Sequence, residues 1–235
     1  MNKTKIEYVD RTWNPVTGCL HNCPYCYARR FARRFGSGDC RGDYEIDRPS
    51  IAGPYPYGFA PTFHRYRLDE PQRVKKPRNV FVCSMADLFG EWVSDEWIEK
   101  VFEACEKAPR HRYLFLTKNP ERYFYFPLPT GDFWYGSTIT NDETPYFHSG
   151  GYNTFLSIEP IQSDFRGGGD LVGIKWVIIG AETGNRKERI IPKREWIGNI
   201  VDRCRAVNIP VFMKDSLSKI WGEPLIREYP WEEAE

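Results

Sequence analysis

The chain has 235 residues, 33 Lys and Arg against 32 Asp and Glu, and a net charge of +1. At 41% hydrophobic and 16% aromatic residues it has the composition of a folded globular protein, which excludes intrinsic disorder. The balanced charge excludes a globally basic nucleic-acid or membrane binder, although the first 35 residues carry seven Lys or Arg against two acids. No apolar run approaches the roughly 20 residues needed to span a bilayer. The first residues lack the apolar stretch of a secretory signal, so a cytoplasmic location with reduced thiols and no membrane partner is expected. Seven cysteines, an odd number with three clustered, point to a metal site plus free thiols.

The cluster comes first along the chain. Cys19, Cys23 and Cys26 stand in the run Gly18-Cys19-Leu20-His21-Asn22-Cys23-Pro24-Tyr25-Cys26, a C-x3-C-x2-C spacing. Three thiolates without a fourth would leave one metal position open for chemistry. Residues 27–35 then predict a helix, with Ala28, Phe31, Ala32 and Phe35 on its apolar face and Arg29, Arg30, Arg33 and Arg34 opposite. Residues 36–78, rich in Gly, Pro, Tyr and Arg, read as a long loop insertion.

From there short apolar runs recur, each ending in polar residues. They are Val80–Ser84 before Met85 and Asp87, Tyr113–Leu116 before Lys118, and Phe133–Gly136 before Thr138, Thr140 and Asn141. Next come Thr154–Ile158 before Glu159, Trp176–Gly180 before Glu182, and Pro210–Met213 before Lys214 and Asp215. Near-continuous apolar strands are buried on both faces, as in a parallel sheet. Helices are predicted at 94–108, opened by Ser94, and at 193–207, with Cys105 and Cys204 on their apolar stripes. Asn119-Pro120 has the form of a helix start, whereas 142–151 is too short and too rich in Gly and Pro for a crossover helix. Residues 223–235 form an acidic tail. The alternation predicts an α/β fold. A closed eight-unit barrel needs about 250 residues, so a partial, open parallel β/α barrel of six to seven units is expected, as a single domain over 1–235. Polar residues at strand ends are where such folds keep their sites.

The cysteine motif, with Tyr25 before the last cysteine, resembles that of the radical S-adenosylmethionine superfamily. Trp13–Cys19, Val82–Phe89, Leu116–Pro120, Leu156–Pro160 and Ile178–Gly184 together resemble the phage-associated radical S-adenosylmethionine family of unknown function, a relative of the spore photoproduct lyase type. The resemblance implies a [4Fe–4S] cluster on Cys19, Cys23 and Cys26, with S-adenosylmethionine on the open iron. It implies reductive cleavage to a 5′-deoxyadenosyl radical that abstracts hydrogen from a substrate, driven by an external electron donor of flavodoxin or ferredoxin type. By the same resemblance, Ser84, Met85, Asp87, Lys118, Thr138, Thr140, Asn141, Glu159 and Glu182 are the expected contacts to S-adenosylmethionine. Cys83 is a candidate hydrogen donor, and Lys214 and Asp215 are candidates to face the substrate.

Blander readings stand beside these. Cys19, Cys23 and Cys26 could hold structural zinc completed by His21 or Cys40, making the chain a non-catalytic nucleic-acid-binding module. Cys83 could be a packing thiol. The arginine face of the first helix reads as solvated surface or as a phosphate-contacting patch, helped by Phe63-His64-Arg65-Tyr66-Arg67 and by Arg73, Lys75, Lys76 and Arg78. A nucleic-acid base or lesion is therefore an alternative substrate. Glu159 and Glu182 could form an acid/base pair, and Gly167-Gly168-Gly169 lacks the residues of a phosphate loop.

Overall fold

The computed structural model describes residues 1–36, 42, 44–51, 53–166, 171–222 and 224–232. They form two compact units, Met1–Phe133 and Trp134–Glu235.

The first unit opens with β1 (Asn2–Lys3), β2 (Arg11–Trp13), β3 (Val16–Thr17) and α1 (Tyr27–Phe35). It continues through β4 (Tyr44–Ile46), β5 (Thr62–His64), a 3-10 turn at Arg65–Arg67 and α2 (Glu70–Arg73). Then come β6 (Asn79–Val82), α3 (Asp95–Glu106), β7 (Arg112–Thr117) and a 3-10 helix at Pro120–Tyr125. Strands β2, β6 and β7 are parallel neighbours, and β1 lies antiparallel to β2. The insertion after α1 is more than a loop. Its β4 and β5 join β3 in a second, three-stranded sheet. Tyr44 stacks on Tyr57 at 3.7 Å, and Phe63 stacks on Trp97 at 5.3 Å.

Helix α3 forms where its pattern placed it. The Ser94 hydroxyl accepts the Trp97 N–H, Asp95 and Glu96 occupy the first turn, and Trp97, Ile98, Val101, Phe102 and Cys105 are buried. The Asn119-Pro120 start opens a 3-10 helix, and Asn119 does not cap it. Its amide instead donates to the Phe89 carbonyl.

The second unit holds β8 (Phe133–Ile139), β9 (Asn153–Ile158), β10 (Ile174–Ile179), α4 (Arg194–Ala206), β11 (Val211–Met213), a 3-10 turn at Asp215–Leu217 and α5 (Ser218–Trp221). Strands β8, β9, β10 and β11 are parallel in that order. No helix is described between β8 and β9, in keeping with the short 142–151 connection. Ile197, Ile200, Val201 and Cys204 of α4 pack into one core with Leu156, Val177, Ile179 and Met213. Each such aliphatic side chain contributes about 1.5–3 kcal/mol on burial.

The acidic tail is used structurally. Met213 donates its N–H to the Ile226 carbonyl, and Glu228 exchanges hydrogen bonds with Val211. Tyr229 and Trp231 pack on Trp176. The protein thus has an α/β fold of mostly parallel strands. Among the described residues, no helix is long and apolar enough to cross a membrane.

Candidate functional site

In the first unit, the end of β2 is tied to the turn after β6. The Asn14 side-chain oxygen accepts from the Met85 N–H (2.9 Å) and the Ser84 hydroxyl (3.2 Å). One step on, Gly18 donates to the Met85 carbonyl at 2.9 Å. Gly18 has φ +88°, and a Cβ there would lie 2.2 Å from the Ala60 carbonyl oxygen. Only glycine makes this approach. The cysteine loop then begins, with Cys19 donating its N–H to Phe59. Asn22 takes the left-handed conformation, φ 54°, which Asn tolerates better than most residues. Cys26 closes the loop by donating to the Cys23 carbonyl and caps α1, its sulfur accepting the Arg29 N–H at 3.3 Å. All three cysteines are free and partly exposed. Burial pushes the Cys19 thiol up to about 12, and Asp87, Cys26 and Cys23 add to the rise.

Asp87 is the junction of this unit. Its carboxylate accepts the His21 ring N–H at 2.7 Å, the Lys118 backbone N–H at 2.8 Å and the Phe89 N–H at 3.1 Å. His21 also packs edge-on against Trp92. One buried carboxylate therefore clamps the cysteine loop to the segments after β6 and β7. The Lys118 ammonium lies 5.6 Å from the centre of the Tyr25 ring. Ser84 receives the Tyr27 hydroxyl on its carbonyl. Met85 packs with Cys19 and Cys26 against Ala28, Ala32, Tyr55 and Phe59.

Cys83 departs from its expected strand. β6 ends at Val82, and Cys83 turns out of it at φ 59°, buried, with its N–H on the Trp13 carbonyl. Burial drives its thiol up to about 12. Its environment is that of a packing thiol.

In the second unit, Thr138 pairs with Ser157 across β8 and β9. Thr140 gives its carbonyl to Gln162. Asn141 spends its side-chain oxygen on Glu143 and Thr144 in the turn that follows. Glu159 and Lys214, at the ends of β9 and β11, form an ion pair. Gly180, at the end of the intervening β10, leaves room for it, since a Cβ would stand 3.1 Å from the Lys214 chain and 3.3 Å from the Glu159 carboxyl. Glu182 binds Arg186 through both oxygens at 2.8 Å. Asp215 pairs with Arg227. Each charged group predicted in this unit thus has an internal counter-charge, and Glu159 and Glu182 have different partners instead of forming an acid/base pair.

The family model for Protein of unknown function (DUF5131) matches residues 3–225. The chain belongs to that family. A comparison with curated proteins finds no match. Among solved structures, the chain is similar at 13% identity to a cysteine-to-serine mutant of spore photoproduct lyase, with a TM-score of 0.48 over 94% of this chain and 76% of that one. It is also similar, at 13% identity, to a double mutant of that lyase with bound AdoMet and dinucleoside spore photoproduct. There the TM-score is 0.44, over 86% of this chain and 62% of the other.

Among the described residues, no three His, Cys, Asp or Glu side chains are gathered to hold a single ion. His21 is engaged by Asp87, and Cys40 lies outside the described residues, as does the Gly167–Gly169 run.

Of the basic segments, Phe63 and His64 are fully buried, Arg65 pairs with Glu45, and Arg67 donates to the Asn14 carbonyl, whereas Arg73, Lys75 and Lys76 are exposed. On α1 only Ala28 and Ala32 are buried. Phe31 and Phe35 are each 48% exposed, contrary to the expected apolar face. Arg29 leaves the arginine face and turns toward the cysteine loop. Asn14 is a site residue that the sequence did not single out, its only signal being its place inside the quoted Trp13–Cys19 run. His21 enters the sequence reading only as a completing zinc ligand and Arg29 only as part of the arginine face, so their roles at the cysteine loop were not expected.

Proposed function

We propose that the chain is a radical S-adenosylmethionine enzyme whose Cys19, Cys23 and Cys26 hold a [4Fe–4S] cluster. The observation that carries this reading is three free, partly exposed thiols on one loop whose two ends are fixed by Gly18 and by the Cys26 cap of α1. When bound, the cluster and S-adenosylmethionine supply a carbon radical that removes a hydrogen atom from a substrate, with electrons from an external donor.

The protein's own groups bind and orient. Asp87 keeps its assignment to S-adenosylmethionine and serves besides as the clamp of the cysteine loop, its oxygens accepting three N–H groups. Ser84, Met85 and Lys118 keep the assignment to S-adenosylmethionine, with Lys118 as the counter-charge for a carboxylate. In the second unit Thr138, Thr140 and Glu159 keep it too, each to be tested one residue at a time. Lys214 is assigned to substrate or cofactor through exchange of its Glu159 partner.

Anaerobic reconstitution tests the reading directly. The expected product holds about four irons and four sulfides per chain and releases 5′-deoxyadenosine under a strong reductant. Alanine at Cys19, Cys23 or Cys26 abolishes both. One zinc with no sulfide would sink the proposal.

A second reading of the substrate, a nucleic-acid base, is favoured by α1. Tyr27, Phe31 and Phe35 stand on one stripe, 54%, 48% and 48% exposed, in a helix with four arginines and no acid. Aromatic faces interleaved with cations suit unpaired bases and phosphates. Binding of a single-stranded oligonucleotide that weakens steeply with salt, and weakens again in Phe31→Ala, supports it. No binding at low salt removes it.

A further inference from the structure

Arg29 is the odd member of the α1 arginines. Arg30, Arg33 and Arg34 are exposed, whereas Arg29 is half-buried and reaches both ends of the cysteine loop. Its backbone N–H donates to the Cys26 sulfur at 3.3 Å. One terminal guanidinium nitrogen donates to the Cys19 carbonyl at 3.0 Å, and the guanidinium lies 5.3 Å from the centre of the Phe59 ring. Its Nε is buried and has no hydrogen-bond partner. A buried donor left unpaired costs about 1–3 kcal/mol, and more when it is charged. Among the described residues, no ion pair joins a carboxylate to this guanidinium, although the arginine contacts Cys19 and Cys26, whose thiols become anionic when they ligate metal.

We propose that Arg29 is a positioning residue for the metal group: its Nε–H donates to a thiolate or sulfide sulfur of the cluster held by Cys19, Cys23 and Cys26. The inference rests on the radical S-adenosylmethionine reading above and goes one step past it. It explains why the Nε of one arginine is buried without a partner on a helix whose other arginines face solvent. The orphan donor has its acceptor only when the loop is loaded, and the guanidinium offsets the negative charge of the ligated thiolates. Cluster potentials respond to net charge and to hydrogen bonds on sulfur. Arg29 therefore stabilises the reduced, more negative state and raises the potential.

The test uses the full chain, reconstituted anaerobically with iron and sulfide, and reads spectra in addition to turnover. In wild-type protein labelled with arginine carrying ¹⁵N only in its guanidinium, so that the backbone N–H on the Cys26 sulfur stays silent, pulsed EPR of the reduced cluster is expected to show coupling to a nearby ¹⁵N nucleus, absent from Arg29→Lys. Arg29→Gln is expected to load iron and sulfide like wild type. Its potential should be lower by roughly a tenfold change in the reduced-to-oxidised ratio, about 59 mV for one electron. Arg29→Lys, which keeps the charge without the Nε donor, should recover part of that shift. A loaded wild-type cluster with no ¹⁵N coupling overturns the proposal, even if the variants fail to fold. So does Arg29→Gln loading normally with an unchanged potential. A wild-type chain that takes up no iron defeats the underlying cluster reading instead, and the inference falls with it.

Discussion

The two units treat the polar residues at their strand ends differently. In the first, Asp87 is satisfied by two backbone N–H groups and one imidazole, and Asn14 by a backbone N–H and a hydroxyl. In the second, Glu159 meets Lys214, Glu182 meets Arg186 and Asp215 meets Arg227. Backbone donors are fixed in place, so a carboxylate that accepts them becomes a clamp. Charged side-chain partners can swing away, so a carboxylate that accepts them can exchange one ion for another. The same residue types at the same place in a β/α unit therefore mean rigidity in one unit and exchangeability in the other.

The sharpest way to break this contrast is to make one substitution in both units. A Cβ at Gly18 meets a backbone carbonyl at 2.2 Å with φ at +88°, and neither can give. Gly18→Ala is expected to cost about 3–5 kcal/mol in chemical denaturation and to abolish iron uptake. A Cβ at Gly180 meets only the Lys214 and Glu159 side chains, at 3.1 and 3.3 Å. Gly180→Ala is expected to cost less than about 1 kcal/mol, because flexible side chains move aside. Equal costs would erase the distinction.

Acid gives the next largest effect. His64, fully buried and bonded to Thr17 at 2.8 Å, has its pKa lowered by burial, and further by Arg67, to about 3. Its ordinary value is 6.5. Between these two values the unfolded chain binds a proton that the folded chain refuses. Its contribution is therefore complete above pH 6.5 and declines as the pH falls toward 3. The slope is up to about 1.4 kcal/mol per pH unit. His64→Gln, which can keep the Thr17 bond, should flatten the decline; an unchanged slope would place the acid sensitivity elsewhere.

These contrasts also mark what could be read from the residues. The alternation of apolar runs and amphipathic helices predicts β6, β7, β8, β9, β10 and β11 and helices α1, α3 and α4, because period and length suffice for buried strands and capped helices. The three cysteines stand out because their spacing is local. The sheet of β3, β4 and β5 was not legible, since strands of two or three residues carry no period. Nor were the roles of Asp87 and Arg29. A strand-end carboxylate looks the same whether a ligand or a backbone N–H will satisfy it. An arginine one position from the exposed stripe looks like its neighbours.

Removing the clamp comes third. Asp87→Ala leaves the Phe89 and Lys118 N–H groups and the His21 ring without their acceptor. It is expected to cost about 2–4 kcal/mol and to weaken iron retention. In the second unit Asp215→Ala, which frees Arg227 from a carboxylate whose side chain is 76% exposed, is expected to cost no more than about 0.5 kcal/mol. A large loss in the second variant would mean that its ion pairs are structural after all.

The smallest stability effect carries the most functional weight. The Lys214 and Glu159 side chains are 19% and 26% exposed. Their pair is thus neither deep enough to make its loss severe nor open enough to be idle. Lys214→Met keeps the length of the side chain and removes the charge. If the pair is an exchangeable one, the variant loses about 1 kcal/mol of stability. Its affinity for S-adenosylmethionine, measured by calorimetry on the reconstituted protein, falls about tenfold, equivalent to about 1.4 kcal/mol. Glu159→Gln separates the two roles, because it releases Lys214 without discharging it. The lysine is then free to meet a ligand carboxylate, and affinity should hold or improve while stability still drops. Parallel losses of affinity and stability in both variants would make the pair a brace, and the contrast between the units would reduce to the depth at which each buries its charges.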